Sequence, residues 1–362
     1  MKAKNKFLVI LVVPLPPPYG GIANWYLTLD DYNRVNNTGV KFSVINIAQS
    51  KKTIKNKFSN AFFSVVSANK NLILLLGKIV FLRPRAIHIT TSVQKGLIRD
   101  FFYLLASRVL FQRTIFHFRS ERLLDLKKSN KCLFLVAKAC IKLSSIVIAL
   151  DLNSHNLIKT MGPKKRVEIV PNPINITKIS SFASSERKNR IVFLGDVKRS
   201  KGVEELLEAW LDLHCQVPMW ELVLVGTITS NYKEYLYSRF GKCHFKLIGK
   251  LDHSSAMKYL GASKIMILPS HTEGFPNVIL ESMALRVPVI ATRVGAITNI
   301  LHDCGYLIQP NDAEDIKLAI YALTSCDRLQ QSYSAKAFQK ATRMYSIEKI
   351  FKIYRYIWIP EK

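Results

Sequence analysis

Acidic residues are scarce in this chain: 25 Asp and Glu stand against 53 Lys and Arg in 362 residues, a formal net charge of +28. Such an imbalance argues for an anionic partner: nucleic acid, a lipid headgroup or a phosphorylated substrate. Cysteine is sparse and unpatterned. The six (132, 140, 215, 243, 304 and 326) form no Cys-x-x-Cys pair and have no His neighbour at zinc-finger spacing. That speaks against a structural zinc site and for reduced thiols in a cytosolic protein. Long apolar runs are missing too. Phe7–Val13 stops at Pro14-Leu-Pro-Pro-Pro18, too short for a signal peptide, and Leu72–Leu82 and Leu133–Leu150 are short or broken by Lys. No transmembrane segment is expected. No Asp-x-Asp occurs anywhere.

The length fits two domains of roughly 150–200 residues. The charge is lopsided. Residues 1–170 hold 28 Lys and Arg against 7 Asp and Glu, leaving 53 − 28 = 25 against 25 − 7 = 18 for the remainder, so the first part carries +21 and the rest +7.

The most informative stretch is 264–292. Lys264-Ile-Met-Ile-Leu-Pro-Ser270 reads as a buried strand, Pro276 as the start of a helix running to about Leu285, and Val287–Thr292 as the next buried strand. In such strand–loop–helix units, ligands sit at the carboxyl ends of strands beside helix N-termini. Glu273 falls in that loop. Glu281 falls on the helix, one turn beyond Asn277. A carboxylate there can accept two hydroxyl hydrogen bonds at once, which suits a vicinal diol. Two Glu eight positions apart occur often by chance; their place between two apolar strands raises the signal.

The run Glu273-Gly-Phe-Pro-Asn-Val-Ile-Leu-Glu281 resembles the nucleotide-binding signature of the family 4 glycosyltransferases, with Ser282 where Ala is commoner. The resemblance implies an α/β fold of GT-B architecture: two facing Rossmann-like domains with a cleft between them, and a C-terminal helix crossing back to the first. It implies boundaries at 1–172 for an acceptor- and membrane-facing domain, 173–342 for a nucleotide-sugar domain and 343–362 for the returning helix. It also implies retaining, metal-independent transfer of a hexosyl or N-acetylhexosaminyl group from a nucleoside-diphosphate-sugar, UDP ahead of GDP, with no cofactor. By position in the motif, Glu281 would hold the ribose diol, and Glu273 with Gly274, Phe275, Pro276 and Asn277 the sugar. Gly195 and Gly249 end strands that border the donor. Lys201 of Lys201-Gly202 matches the lysine that neutralises the leaving diphosphate, whereas Asp196 replaces the family's arginine; Arg199 and Lys198 are the candidate substitutes.

The first domain matches by layout. Gly20 and Gly21 lie between the first strand and the first helix, where the family's glycine meets the donor diphosphate. His117 ends a strand at the position of a family His contacting donor sugar and acceptor; it is the one candidate catalytic base. The second His of that motif is absent, and Arg119-Ser120 stands in its place. Lys51, Lys52, Lys55, Lys57, Lys70 and Lys78 interleave with Phe58, Phe62, Phe63 and the Leu72–Leu76 run. Such mixing suits either an ordinary amphipathic helix or one lying on anionic lipid. Its repetition at 96–112 and 131–145 favours an anionic membrane surface, giving a cytoplasmic protein peripheral on the inner face and a lipid-linked saccharide acceptor of bacterial surface polysaccharide. Two other readings stay open: a basic nucleic-acid or membrane binder without transferase activity, and an epimerase of the same architecture. No nucleic-acid partner is expected, because the aromatics lie inside apolar runs.

Overall fold

The computed structural model describes residues 7–17, 20–48, 57–93, 96–119, 123, 126 and 129–359, with backbone alone for 57–64. Lys51, Lys52, Lys55, Ser120, Glu121 and Asp125 lie outside them, as do the side chains of Lys57, Phe58, Phe62 and Phe63. The chain divides into two compact units, one of residues 1–173 with 347–362 and one of 174–346.

The first unit runs β1 (Phe7–Val13), α1 (Gly21–Asn36), β2 (Val40–Asn46), α2 (Lys57–Leu82), β3 (Ala86–Thr91), α3 (Gly96–Val109), β4 (Thr114–Phe118), α4 (Lys131–Leu143), β5 (Ile146–Ala149), α5 (Leu152–Met161) and β6 (Arg166–Ile169). All strand pairs are parallel, in the order β2-β1-β3-β4-β5-β6. Strands buried on both faces read as continuous apolar runs, which is why Phe-Leu-Val-Ile-Leu-Val-Val is legible at once. Alternate side chains enter different cores. Val9, Leu11 and Val13 pack with Trp25, Tyr26 and Leu29 of α1, whereas Ile10 and Val12 join Leu75, Leu97, Leu104 and Ile141 on the other face.

The second unit runs α6 (Ile176–Ser180), β7 (Lys188–Leu194), α7 (Val203–Leu213), β8 (Glu221–Val225), α8 (Ser230–Phe240), β9 (Lys246–Gly249), α9 (His253–Gly261), β10 (Ser263–Leu268), α10 (Asn277–Ala284), β11 (Val289–Thr292), α11 (Ile297–Leu301), β12 (Tyr306–Ile308), α12 (Ala313–Thr324) and α13 (Asp327–Lys340). Its sheet is also parallel, ordered β12-β11-β10-β7-β8-β9. The direction of winding reverses between β7 and β10, the place where such sheets open a crevice at their carboxyl ends. A final helix, α14 (Ile347–Trp358), returns to the first unit. There Ile347, Ile350, Phe351, Tyr354, Ile357 and Trp358 complete the core against α1, and Arg113 Nε donates to Ile357 O at 3.1 Å.

Helix α2 departs from the sequence expectation. Val65–Leu82 has a mean hydropathy of 1.6 over 18 residues and only 11% of it is buried, so by length and composition it is apolar enough to cross a membrane. Yet Leu75 and Ile79 enter the core, and Lys78 Nζ donates to Ser43 Oγ and to Val44 O, both at 2.9 Å. The helix is tied to β2 as a wall of the unit. Its outward face carries Val65, Val66, Ile73, Leu74, Val80 and Phe81.

Candidate functional site

The carboxyl ends of β7 and β10 carry most of the residues picked from the sequence. After β7, Gly195 N–H donates to Val225 O at 3.0 Å, and the chain makes a short 3-10 turn at Arg199–Lys201. Gly202 follows with φ +67, and a Cβ there would lie 1.9 Å from Pro269 O. Only glycine lets this turn press against the end of β10. The contact delivers Lys201, whose ammonium is ion-paired with Glu273 Oε1; the same oxygen accepts from Ser270 Oγ at 2.8 Å. Both side chains are largely buried, and α7 begins beside them with no side-chain cap.

A second close approach fixes the Glu273 loop. Gly295 has φ +52, and a Cβ on it would fall 1.7 Å from Glu273 O. Ala296 N–H donates to Gly274 O at 3.0 Å, and Thr292 Oγ1 to Ser270 O at 2.6 Å. The loop is thus bound to the segment after β11. Phe275 packs edge-on to Tyr345, 6.1 Å between centroids. Pro276 is the N-cap of α10 in extended conformation, and neither a capping side chain nor an acidic first turn covers that helix end. Its backbone amides and positive dipole end suit an anion or a hydroxyl oxygen.

Glu281 is only 9% exposed, and its Oε1 is 2.8 Å from His253 Nε2. That hydrogen bond, ahead of the opposing effect of burial, raises the His253 pKa above its usual 6.5. His253 was not singled out in the sequence: it lies 28 residues away on α9, and no spacing ties the two together. His271 likewise meets Glu205 Oε1 at 3.0 Å. Gly249 ends β9 with φ +78 and open space where a side chain would stand.

The candidate substitutes for the missing arginine are engaged elsewhere. Arg199 pairs with Glu204 at 2.8 Å and covers Tyr235, and Lys198 is 3.8 Å from Asp196. Asp196, Lys198 and Arg199 border a cavity of about 420 Å³ with Thr227, Thr229 and Tyr232.

Gly20, Gly21 and His117 belong to the first unit. Gly20 is the extended N-cap of α1, without a side-chain cap. His117, expected as a base at a strand end, is instead fully enclosed. It packs against Trp25, His88 and Tyr354, and Nδ1 is 3.1 Å from His88 Nε2. Burial first, then the nearby Arg119 charge, drives its pKa well below 6.5, so the ring is neutral in the folded chain.

Residues 175–340, covering the Lys201, Glu273 and Glu281 constellation, match the family described as Glycosyl transferases group 1. The second unit is a group 1 glycosyltransferase domain. Residues of the chain align at 29% identity over 205 positions with a putative teichuronic acid biosynthesis glycosyltransferase of Bacillus subtilis, covering 53% of this chain and 50% of that one. The chain spans about half the length of the curated relatives it matches first. Among solved structures, sucrose-phosphate synthase from Thermosynechococcus elongatus superposes with a TM-score of 0.74 over 98% of this chain and 99% of that one, at 16% identity. HepE from Anabaena, in complex with UDP, gives 0.73 over 96% and 98%, at 14% identity. The fold of the chain is GT-B.

Proposed function

We propose that the chain transfers a sugar, with retention, from a nucleoside-diphosphate-sugar to a lipid-linked saccharide in bacterial polysaccharide assembly. The observation that carries this reading is the convergence of Lys201, Glu273 and the open N-terminus of α10 at the switch point of the second sheet, with Glu281 on that helix. Glu281 accepts the ribose diol, exchanging His253 for hydroxyl donors. Glu273 and the 274–277 loop take sugar hydroxyls. Lys201 leaves Glu273 for the departing diphosphate, whose growing negative charge it stabilises more than it stabilises the bound donor. UDP is the first nucleotide to test, since HepE, alike in fold, is in complex with it. The polysaccharide setting follows the teichuronic acid relative.

The reaction is placed on protein cations, with no metal and no cofactor. Release of UDP from UDP-glucose and UDP-N-acetylglucosamine, measured with EDTA and a lipid-linked saccharide acceptor, tests this. Turnover that persists in EDTA is expected. Activity abolished by EDTA and restored by Mg²⁺ or Mn²⁺ overturns the metal-free mechanism.

The lipid-linked acceptor and a peripheral place on an anionic membrane rest on the first unit. Ile73 and Phe81 of α2 and Phe102 and Val109 of α3 are exposed beside Lys70, Arg83, Arg85 and Arg108, a mixture suited to anionic headgroups.

A further inference from the structure

The second unit has a cavity at the edge of its sheet away from Lys201 and Glu273. About 470 Å³ in volume, it is bordered by Arg187, Lys264, Arg286 and Asp327 among others. Arg187 immediately precedes β7, Lys264 stands at the start of β10, and Arg286 lies just before β11. These strands are parallel neighbours, so their amino ends share one edge of the sheet. Lys201 and Glu273 follow the carboxyl ends of β7 and β10, roughly 20 Å away along a six-residue strand.

Three cations thus border one concavity, and little neutralises them. Asp327 is the first residue of α13, where its charge meets the positive end of that helix, and its Oδ1 is 3.5 Å from Gln330 Nε2. It forms no ion pair with the three cations among the described residues. Arg187 Nη1 donates to Arg286 O and Nη2 to Leu285 O, both at 2.6 Å, which holds the guanidinium at the carboxyl end of α10. Its remaining N–H hydrogens have no protein acceptor among the described residues. Burial first, then the Arg286 charge, lowers the Arg187 pKa, as expected of like charges with no counter-ion between them.

Arg286 holds a backbone conformation that a side chain resists. Helix α10 closes with Arg286 N–H donating to Met283 O at 3.2 Å and Val287 N–H to Ser282 O at 3.0 Å, and Arg286 has φ +55. Glycine is the usual residue at this left-handed position, since it alone has no Cβ to strain. Here an arginine occupies it, with its guanidinium 3.7 Å over the Phe338 ring of α13. That stacking fixes a planar fork beside the cavity.

We propose that this cavity binds the phosphoryl group of a small soluble ligand, held by the forks of Arg187 and Arg286 and by the Lys264 ammonium. Guanidinium forks match phosphate oxygens in pairs, and the ammonium adds a point charge. The volume is that of a small-molecule pocket. The site uses neither Lys201 nor Glu273 nor Glu281, and stands apart from the transferase reading.

Calorimetric titration of the full chain with inorganic phosphate, joined to amine labelling of its lysines read by mass spectrometry, tests the site. Phosphate is expected to shield Lys264 from the label. Arg286→Gly with Lys264→Gln should weaken the titrated binding at least about tenfold. Lys164→Gln, the loss of an exposed charge in the first unit, should leave it unchanged. Phosphate that fails to bind, binds equally in all three proteins, or leaves Lys264 as reactive as before overturns the site. Shielding confined to Lys201 overturns it too, placing the phosphate at the other edge of the sheet. Arg286→Gly alone separates ligand binding from stability: the unliganded Tm should hold or rise as the left-handed position is relieved. A clear fall would mean that Arg286 serves to hold α10 to α13, and would contradict the proposal.

Discussion

At the scale of single residues, two glycines shape the proposed donor site as much as its charged groups do. Gly202 and Gly295 have positive φ, and each sits where a Cβ would collide with a backbone carbonyl, Pro269 O or Glu273 O. Gly295→Ala is expected to cost about 2–4 kcal/mol of stability, seen as a lowered calorimetric Tm. A neutral result would mean that the loop yields. Glu273→Ala predicts the opposite pattern: a well-folded protein with turnover reduced by about 10²-fold or more, measured as UDP release. Unchanged turnover would remove Glu273 from the site. The two Glu and Lys201 were legible in the sequence because a fixed spacing between apolar strands carries them. The partners His253 and His88 were not, since each meets its neighbour only through the fold. Nor was the enclosure of His117, because a strand-end position says nothing of what packs over it; here that is α14, more than 200 residues later.

At the scale of elements, the parallel strands were the most legible part, being continuous apolar runs buried on both faces. Helix α2 was harder to read. Its apolar residues suggest burial, but only Leu75 and Ile79 are wholly buried among the side chains described, and the outward face stays apolar. The joint between α14 and the β3–β4 face has its own signature in pH. His88 and His117 are neutral in the folded chain, their pKa values depressed by burial, and titrate near 6.5 once unfolded. The unfolded chain therefore binds more protons below pH 6.5, so stability falls as pH drops from about 6.5 toward about 3, by roughly 2 kcal/mol per imidazole at pH 5. Calorimetric Tm between pH 7.5 and 5 measures it. His88→Phe should flatten part of the slope, and an identical slope would place the titrating groups elsewhere.

At the scale of the whole molecule, the proposed membrane docking rests on the +28 charge and the exposed apolar face of α2 and α3. Sedimentation with anionic but not neutral liposomes is expected, reduced by Ile73→Ser with Phe81→Ser; salt-sensitive RNA binding without liposome binding would reverse the assignment. The central claim, however, is the nucleotide site of the second unit. Its most direct test is titration of the full chain with UDP in EDTA, followed by thermal shift, in the wild type and in Glu281→Ala. A ligand that binds only the folded state raises Tm in step with its affinity. The account predicts a shift with UDP that largely disappears in Glu281→Ala while the unliganded Tm changes little. A UDP shift equal in both proteins, or no shift with UDP, GDP or ADP, would contradict it.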